Sequence, residues 1–314
     1  MTSALSYRAR FHCLLAVVAV LWAGLLSGQR SVNLLGGVGE RAAPTLVNPR
    51  ASAASEAFVL DRNLIFFEAS VNGAPGSFIL DTGAPTLVVN NRGGGDNDSR
   101  FTGLGAGGQV SLTDHRVDHF EMLDRSVDNY WAIGVDLRDM EIRTGKRIDG
   151  FVGYDLLNEG ELRIDYHKQT FQLLASQRRP RHDGQLPRAS LRFALADHLP
   201  VIELKIDGKR YRFAIDTGAG LNLLADWAAE KLAAEVVGAS VNVQGLDGRA
   251  VDCPSVQLSM SEHFPGDEAL QFVTTDLSHL QEAGDLPLAG ILGSSFLSQY
   301  TVGIDYRRQK MHLW

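Results

Sequence analysis

A mainly β protein with few short helices, built as two related halves, is the fold this sequence predicts. Three observations carry that prediction. Asp-Thr-Gly occurs twice at the end of a hydrophobic strand, in Phe78-Ile-Leu-Asp81-Thr82-Gly83-Ala84 and in Phe213-Ala-Ile-Asp216-Thr217-Gly218-Ala219. The residues around each copy repeat with it. Apolar and polar residues alternate with period two on either side of Asn-Gly and Asp-Gly signals, as half-buried hairpins do.

From the N-terminus, Arg8 and Arg10 precede the apolar run Leu14 to Leu26. That run suits the h-region of a signal peptide and is shorter than the roughly 20 residues of a spanning helix. Residues 1–30 therefore read as a signal peptide or a retained signal anchor. An anchor would tether the chain to a membrane through residues 11–27, and either reading places the protein outside the cytoplasm. Residues 31–57, rich in Gly, Ala and Ser without a period, read as a linker. The first half is expected over 58–175 and the second over 190–314. Residues 176–189, which begin Ser-Gln-Arg-Arg-Pro-Arg-His-Asp-Gly, join them as an exposed linker.

The repeat is visible in two blocks. A shift of 135 residues, the separation of Asp81 from Asp216, aligns Leu64 with Leu199, Glu68 with Glu203, Gly73 with Gly208 and Phe78 with Phe213. A shift of 140 aligns Gly150-Phe-Val-Gly153 with Gly290-Ile-Leu-Gly293 and Ile164-Asp-Tyr166 with Ile304-Asp-Tyr306. The five extra residues fall between the blocks, where a loop insertion would. Asn72-Gly73 and Asp207-Gly208 mark equivalent hairpin turns, and Val201 to Ile206 alternates as a strand. Helix is sparse. Asp226 is a candidate N-cap for a helix from Trp227 to Glu235, short turns follow Gly153 and Gly293, and Asn90 to Ser99 reads as a loop.

Composition narrows the function classes. Hydrophobic residues at 45% and charged residues at 21% describe a chain that can bury a core. A net charge of -7 offers no basic field, so nucleic acid is not an expected partner. With Cys13 at the start of the N-terminal apolar region and Cys253 far from it in sequence, no disulfide framework is expected.

The chemistry lies in the doubled turn. An Asp at a strand end is held in place, the neighbouring Thr supplies a hydroxyl, and Gly permits a tight turn with free amides. Two carboxylates brought together about a two-fold axis cannot both ionise; they share a proton, as in the aspartic-protease dyad that serves as the standard example. One then acts as base on a water and the other as acid on the developing charge, with no metal, cofactor or covalent intermediate required.

These motifs resemble the retropepsin-like and pepsin-like aspartic peptidases, over about residues 60 to 314. The chain is similar to bacterial exported proteins of the aspartyl protease family, as two fused retropepsin-sized units. The resemblance implies two pseudo-symmetric acid-protease-type β-barrel lobes, with Asp81 and Asp216 catalytic and Thr82, Gly83, Thr217 and Gly218 as the supporting turns. It also implies that the Thr hydroxyls interlock, that the Gly153 and Gly293 segments pack behind the Asp turns, and that an extended polypeptide is the substrate of a functional monomer. Ala84 and Ala219 stand where pepsins carry Ser or Thr, and Pro85 and Gly220 where retroviral members carry Asp. Flap hairpins are expected at Gly103 to Gly108 and Gly245 to Gly248, with Gly105, Gly107, Leu246 and Asp247 as candidates.

Other patterns are read as structural. Asp165 and Asp305 recur within Ile-Asp-Tyr and are expected to end a strand and bind backbone or an arginine. His115 and His119 are spaced by four, but Arg116 stands where a zincin has Glu, so no metal is expected. The glycines at 93 to 95 lack a P-loop Lys, and no Gly-x-Ser-x-Gly elbow accompanies the histidines. Two function classes follow: an exported aspartic endopeptidase, or a pseudo-peptidase that binds an extended peptide without cutting it.

Overall fold

A computed structural model describes residues 54–93, 108–245, 250–260, 264, 269–280 and 287–314, with the strands Ala16–Val18, Thr45–Val47 and Phe101–Gly105. The rest of the signal or anchor and of the first linker, up to residue 53, falls outside the described residues, and the linker's last two residues, Glu56–Ala57, form a strand paired with Thr170 and Phe171. Among the described residues no helix is long and apolar enough to cross a membrane.

The architecture is mainly β. Strand Leu64–Val71 turns at Asn72-Gly73 into Ala74–Leu80, with Val71 opposite Ala74. Leu199–Ile206 turns at Asp207-Gly208 into Lys209–Ile215, with Ile206 opposite Lys209. Both turns carry positive φ at both central residues, the backbone that Asn-Gly and Asp-Gly favour. Each return strand lies parallel to the strand that begins the later glycine block, Gly150–Val152 for the first and Leu288–Leu292 for the second. Those two strands pair antiparallel with Val88–Asn90 and Leu223–Ala225 respectively.

Strand alternation divides the first sheet between two cores. Ile65, Phe67, Phe78 and Leu80 join a large apolar cluster that continues through both halves, whereas Leu64, Phe66 and Ile79 enter a smaller cluster with Met140 and Phe151. The helix Arg138–Thr144 covers the smaller one. The sequence reading missed this helix because it buries Met140 and leaves Ile142 exposed, so it has no apolar stripe.

A central sheet joins the halves. The late strands Glu161–Asp165 and Thr301–Asp305 pair antiparallel with Arg163 opposite Gly303, Glu161 opposite Asp305 and Asp165 opposite Thr301. Arg163 and Gly303 are themselves related by the 140-residue shift, so the pairing is self-complementary. The segment 176–189 runs along this sheet, where Arg163 donates to Arg181 O at 2.8 Å and Ser176 Oγ to Asp305 at 2.6 Å.

One helix expectation needs correction. The helix spans Asp226–Lys231, with Ala225 at the N-cap and no side-chain cap. Strand Leu223–Ala225 runs directly into it, which puts Asp226 inside the first turn, where its charge meets the helix dipole. It ends early because Ala233 takes a positive φ and Glu235–Val236 pairs with Val256 and Gln257.

The short helices Tyr154–Leu157 and Ser294–Leu297 begin behind Gly153 and Gly293. A Cβ on Gly293 would lie 2.2 Å from Leu221 O and 2.5 Å from Ala219 O, both backbone atoms of the Asp216 loop. Gly293→Ala is expected to cost about 3 kcal/mol through that overpacking. A urea midpoint equal to that of the parent would refute the contact.

Candidate active site

Each aspartate stands at the end of its buried strand, tied to the parallel neighbour by its own amide. Asp81 N–H donates to Val152 O at 3.0 Å and Asp216 N–H to Leu292 O at 3.1 Å. Behind the turns, Tyr154 N–H donates to Ala84 O at 2.9 Å and Ser294 N–H to Ala219 O at 2.7 Å. The glycine segments thus brace the two aspartate turns in the same manner.

The turns are locked to each other by their threonines. Thr82 N–H donates to Thr217 Oγ1 and Thr217 N–H to Thr82 Oγ1, both at 3.0 Å. Each hydroxyl then donates across the junction, Thr82 Oγ1 to Ile215 O at 3.2 Å and Thr217 Oγ1 to Leu80 O at 2.8 Å. All four residues of the two Asp-Thr pairs are fully buried. Thr217→Val removes one hydroxyl at constant shape and leaves Thr82 N–H and Leu80 C=O without it. That should cost about 1–3 kcal/mol for each orphaned group. Denaturant unfolding with an unchanged midpoint would show the lock to be dispensable.

The carboxyl groups converge across this lock. A Cβ on Gly83 would lie 2.7 Å from the Asp216 carboxyl, and one on Gly218 would lie 2.3 Å from Asp81 Oδ1. Asp81 Oδ1 accepts from Gly83 N–H at 2.8 Å and Ala84 N–H at 3.1 Å, while Asp216 Oδ1 accepts from Gly218 N–H at 2.8 Å. The Oδ2 atoms are buried and meet no backbone or hydroxyl donor among the described residues. With Ala84 and Ala219 after the glycines, no hydroxyl is there to cap them. Two carboxylates bond to each other only when one carries a proton, so these oxygens remain for the shared proton and for a ligand.

Electrostatics separates the pair. Burial, the Asp216 charge and the hydrogen bond with Asp216 push Asp81 well above the ordinary carboxyl range, against the pull of the Gly83 and Ala84 amides. Burial also raises Asp216, but its hydrogen bond with Asp81 and the amides of Gly218, Gly83 and Ala219 offset more of that rise. With Asp216 raised to about 6 and Asp81 higher still, the pair holds one proton above about pH 6 until Asp81 releases it, and that proton sits mainly on Asp81.

Another carboxyl, absent from the sequence reading, supports the Asp81 loop. Asp155 accepts from Thr86 Oγ1 at 2.7 Å and from Tyr130 OH, and Thr86 Oγ1 lies 2.6 Å from Tyr130 OH. Burial pushes Asp155 up to about 7. The matching place in the second half is Ser295, whose Oγ accepts Asn222 N–H at 3.0 Å. Tyr166 OH lies 3.3 Å from Ser294 Oγ, which donates to Thr217 O. Its equivalent Tyr306 instead meets the Tyr154 ring edge-on at 5.4 Å, and its OH has no partner among the described residues.

The remaining sequence candidates sort as follows. Asp165 Oδ1 accepts Lys168 N–H at 2.8 Å and Asp305 Oδ1 accepts Arg308 N–H at 3.0 Å, so both close strand turns. His119 is paired with Asp128 and Glu121 on the sheet surface. No group of three His, Cys, Asp or Glu side chains suited to a metal occurs among the described residues. Gly105 ends a hairpin arm opposite Gly108, while Gly107 lies outside the described residues. Val241–Gly245 pairs antiparallel with Ala250–Cys253; Leu246 and Asp247, between them in sequence, also lie outside the described residues.

Residues 202–296 match the family described as aspartyl protease, which supports an aspartyl protease domain over that segment. The matched segment contains Asp216-Thr-Gly and Gly290 to Gly293 and leaves the first Asp-Thr-Gly outside it. A comparison with curated proteins gave no match.

Proposed function

We propose that this chain is an exported, single-chain aspartic endopeptidase, built as two fused retropepsin-sized units, that hydrolyses an extended polypeptide with a water activated by Asp81 and Asp216. The observation that carries this reading is the pair of buried carboxyls converging across interlocked turns, with both outer oxygens free of backbone and hydroxyl donors among the described residues. A water between those oxygens gives up a proton to Asp216 as its oxygen attacks the peptide carbonyl carbon. Asp81 delivers its proton to the carbonyl oxygen, giving a neutral tetrahedral diol. Collapse of the diol moves a proton to the leaving nitrogen and breaks the C–N bond. The dyad is left with one proton, as it began.

The two hairpins, Phe101–Gly105 with its partner strand and Val241–Gly245 with its own, are the proposed flaps, offering edges on which a substrate could lie as an added strand. Both aspartates belong to one chain, so a second copy is not needed for the chemistry. The apolar run near the N-terminus favours export, and N-terminal sequencing of protein recovered from the exported fraction tests that part.

The activity test is direct. Full-length protein is incubated with an unfolded protein between pH 3 and 7, and products are read by mass spectrometry. Internal cuts that disappear in Asp81→Asn and in Asp216→Asn are expected. Specific peptide binding without turnover would replace this reading with the pseudo-peptidase.

A further inference from the structure

We propose that His198 is a positioning residue for Asp81, acting through the Gly83–Ala84 peptide. This rests on the peptidase reading only for its kinetic consequence. The geometry comes from two equivalent turns: Arg62-Asn63 links strands paired at Asp61 and Leu64, and Asp197-His198 links strands paired at Ala196 and Leu199. Asn63 and His198 are separated by the same 135 residues as the two aspartates. Each reaches across to the aspartate loop of the other half. Asn63 Nδ2 donates to Gly220 O at 2.9 Å, and His198 Nε2 donates to Gly83 O at 2.9 Å.

The two latches grip different peptides, and the difference matters. Gly83 C=O and Ala84 N–H are the two ends of one planar unit. That N–H is the donor to Asp81 Oδ1 at 3.1 Å. The imidazole therefore sets the plane that presents a donor to the carboxyl, and by polarising the carbonyl it strengthens that donor. Gly220 O belongs to the Gly220–Leu221 peptide, so Asn63 fixes the second loop without gripping a peptide whose N–H donates to Asp216. Only Asp81 has a donor that depends on a side chain from the opposite half.

His198 is buried, and a carbonyl can only accept, so its Nε2 must carry the proton. Burial holds its pKa below the ordinary histidine value, against the Gly83 hydrogen bond and the charge of Asp197. The groups around it are the Asp197 carboxylate, the Gly83 carbonyl and the Tyr154 ring at 6.5 Å, which packs in turn on Tyr306. Asp81 itself faces the charge of Asp216. Neutral His198 with Nε2–H is therefore the working form.

The test uses full-length protein. His198→Leu should lower kcat by about tenfold or more with KM little changed, because the loss is one of alignment. It should also move the alkaline limb of the rate profile to higher pH, since Asp81 loses part of a donor to its charged form. His198→Gln, which carries an N–H the same number of bonds from Cβ, should restore both. A His198→Leu protein with parental kcat and pH profile, or a folded His198→Gln no better than His198→Leu, would overturn the proposal. Two NMR readouts need neither turnover nor a stable leucine variant. Imidazole nitrogen shifts of the parent should give the Nε2–H tautomer, and the Asp81 carboxyl should titrate differently in His198→Gln and in the parent by less than in any folded variant lacking the N–H. The Nδ1–H tautomer would refute the latch even if the chain cut no peptide, which separates this failure from failure of the peptidase reading.

Discussion

Asp81→Asn and Asp216→Asn are each expected to reduce peptide hydrolysis by about 10³-fold or more, since in the proposed mechanism either change removes one member of an acid–base pair whose steps depend on both. The two losses should not add in the double variant, because the carboxyls act as a unit. The same substitutions should change stability with the opposite sign. Asp81 is pushed well above its ordinary value of 3.8, so its protonated form is the one the fold favours. A carboxyl raised in this way stabilises the native state below the unfolded pKa, and that contribution is lost as pH rises through the folded value. Asparagine avoids the loss, so the advantage of Asp81→Asn in Tm over the parent should appear above about pH 4 and grow toward neutrality. Parental activity in either single variant would remove the dyad. A Tm difference independent of pH would remove the assigned shift.

Gly218→Ala is expected to be the most damaging change that leaves both carboxyls in place. Its methyl would sit 2.3 Å from Asp81 Oδ1 and 2.7 Å from Asp81 Oδ2, distances that real Cβ atoms do not adopt. The Asp81 side chain has little room to yield, since its Oδ1 is held by two amides and its turn is locked through Thr82. Displacing one carboxyl by about 1 Å should cost about 10²-fold in kcat. Gly83→Ala should act in the same way on Asp216, at 2.7 Å. A Gly218→Ala protein with parental kcat would mean that the carboxyls are farther apart than this packing requires.

What the sequence disclosed was local or repeated. Asn72-Gly73 and Asp207-Gly208 carry their turn chemistry in adjacent residues, and the Asp-Thr-Gly strands announce themselves by the apolar run before them. The threonine lock joins residues far apart in sequence, yet resemblance to a known family made it foreseeable because the motif itself is doubled. The support around the site was not foreseeable in this way. Asp155 meets Thr86 and Tyr130 across 69 and 25 residues, and nothing in Tyr-Asp-Leu-Leu distinguishes a carboxyl held by distant hydroxyls from a solvated one at the start of a helix. His198 and Asn63 share the 135-residue spacing of the aspartates, a signal that was present but hidden because the two residues differ. The Asp226 cap was misread because the preceding strand, and not the side-chain chemistry, decides which residue takes the N-cap geometry.

The asymmetry of the site follows from these unmatched supports. Asp81 has two loop amides on one oxygen, one of them tied to His198, and a loop braced by Asp155 through Thr86. Asp216 has its Gly218 amide, a loop held by Asn63, and Tyr166 reaching its turn through Ser294. Equal carboxyls are thereby made unequal, which is what an acid and a base drawn from the same residue type require.

The central claim, that the two carboxyls share one proton, is tested most directly by carboxyl-carbon NMR titration of Asp81 and Asp216 in the full-length protein. The account predicts two coupled steps, one of them well above the ordinary carboxyl range, with the remaining Asp reverting toward ordinary behaviour when its partner is replaced by asparagine. Two independent titrations near 4, unchanged by replacing either partner, would contradict it.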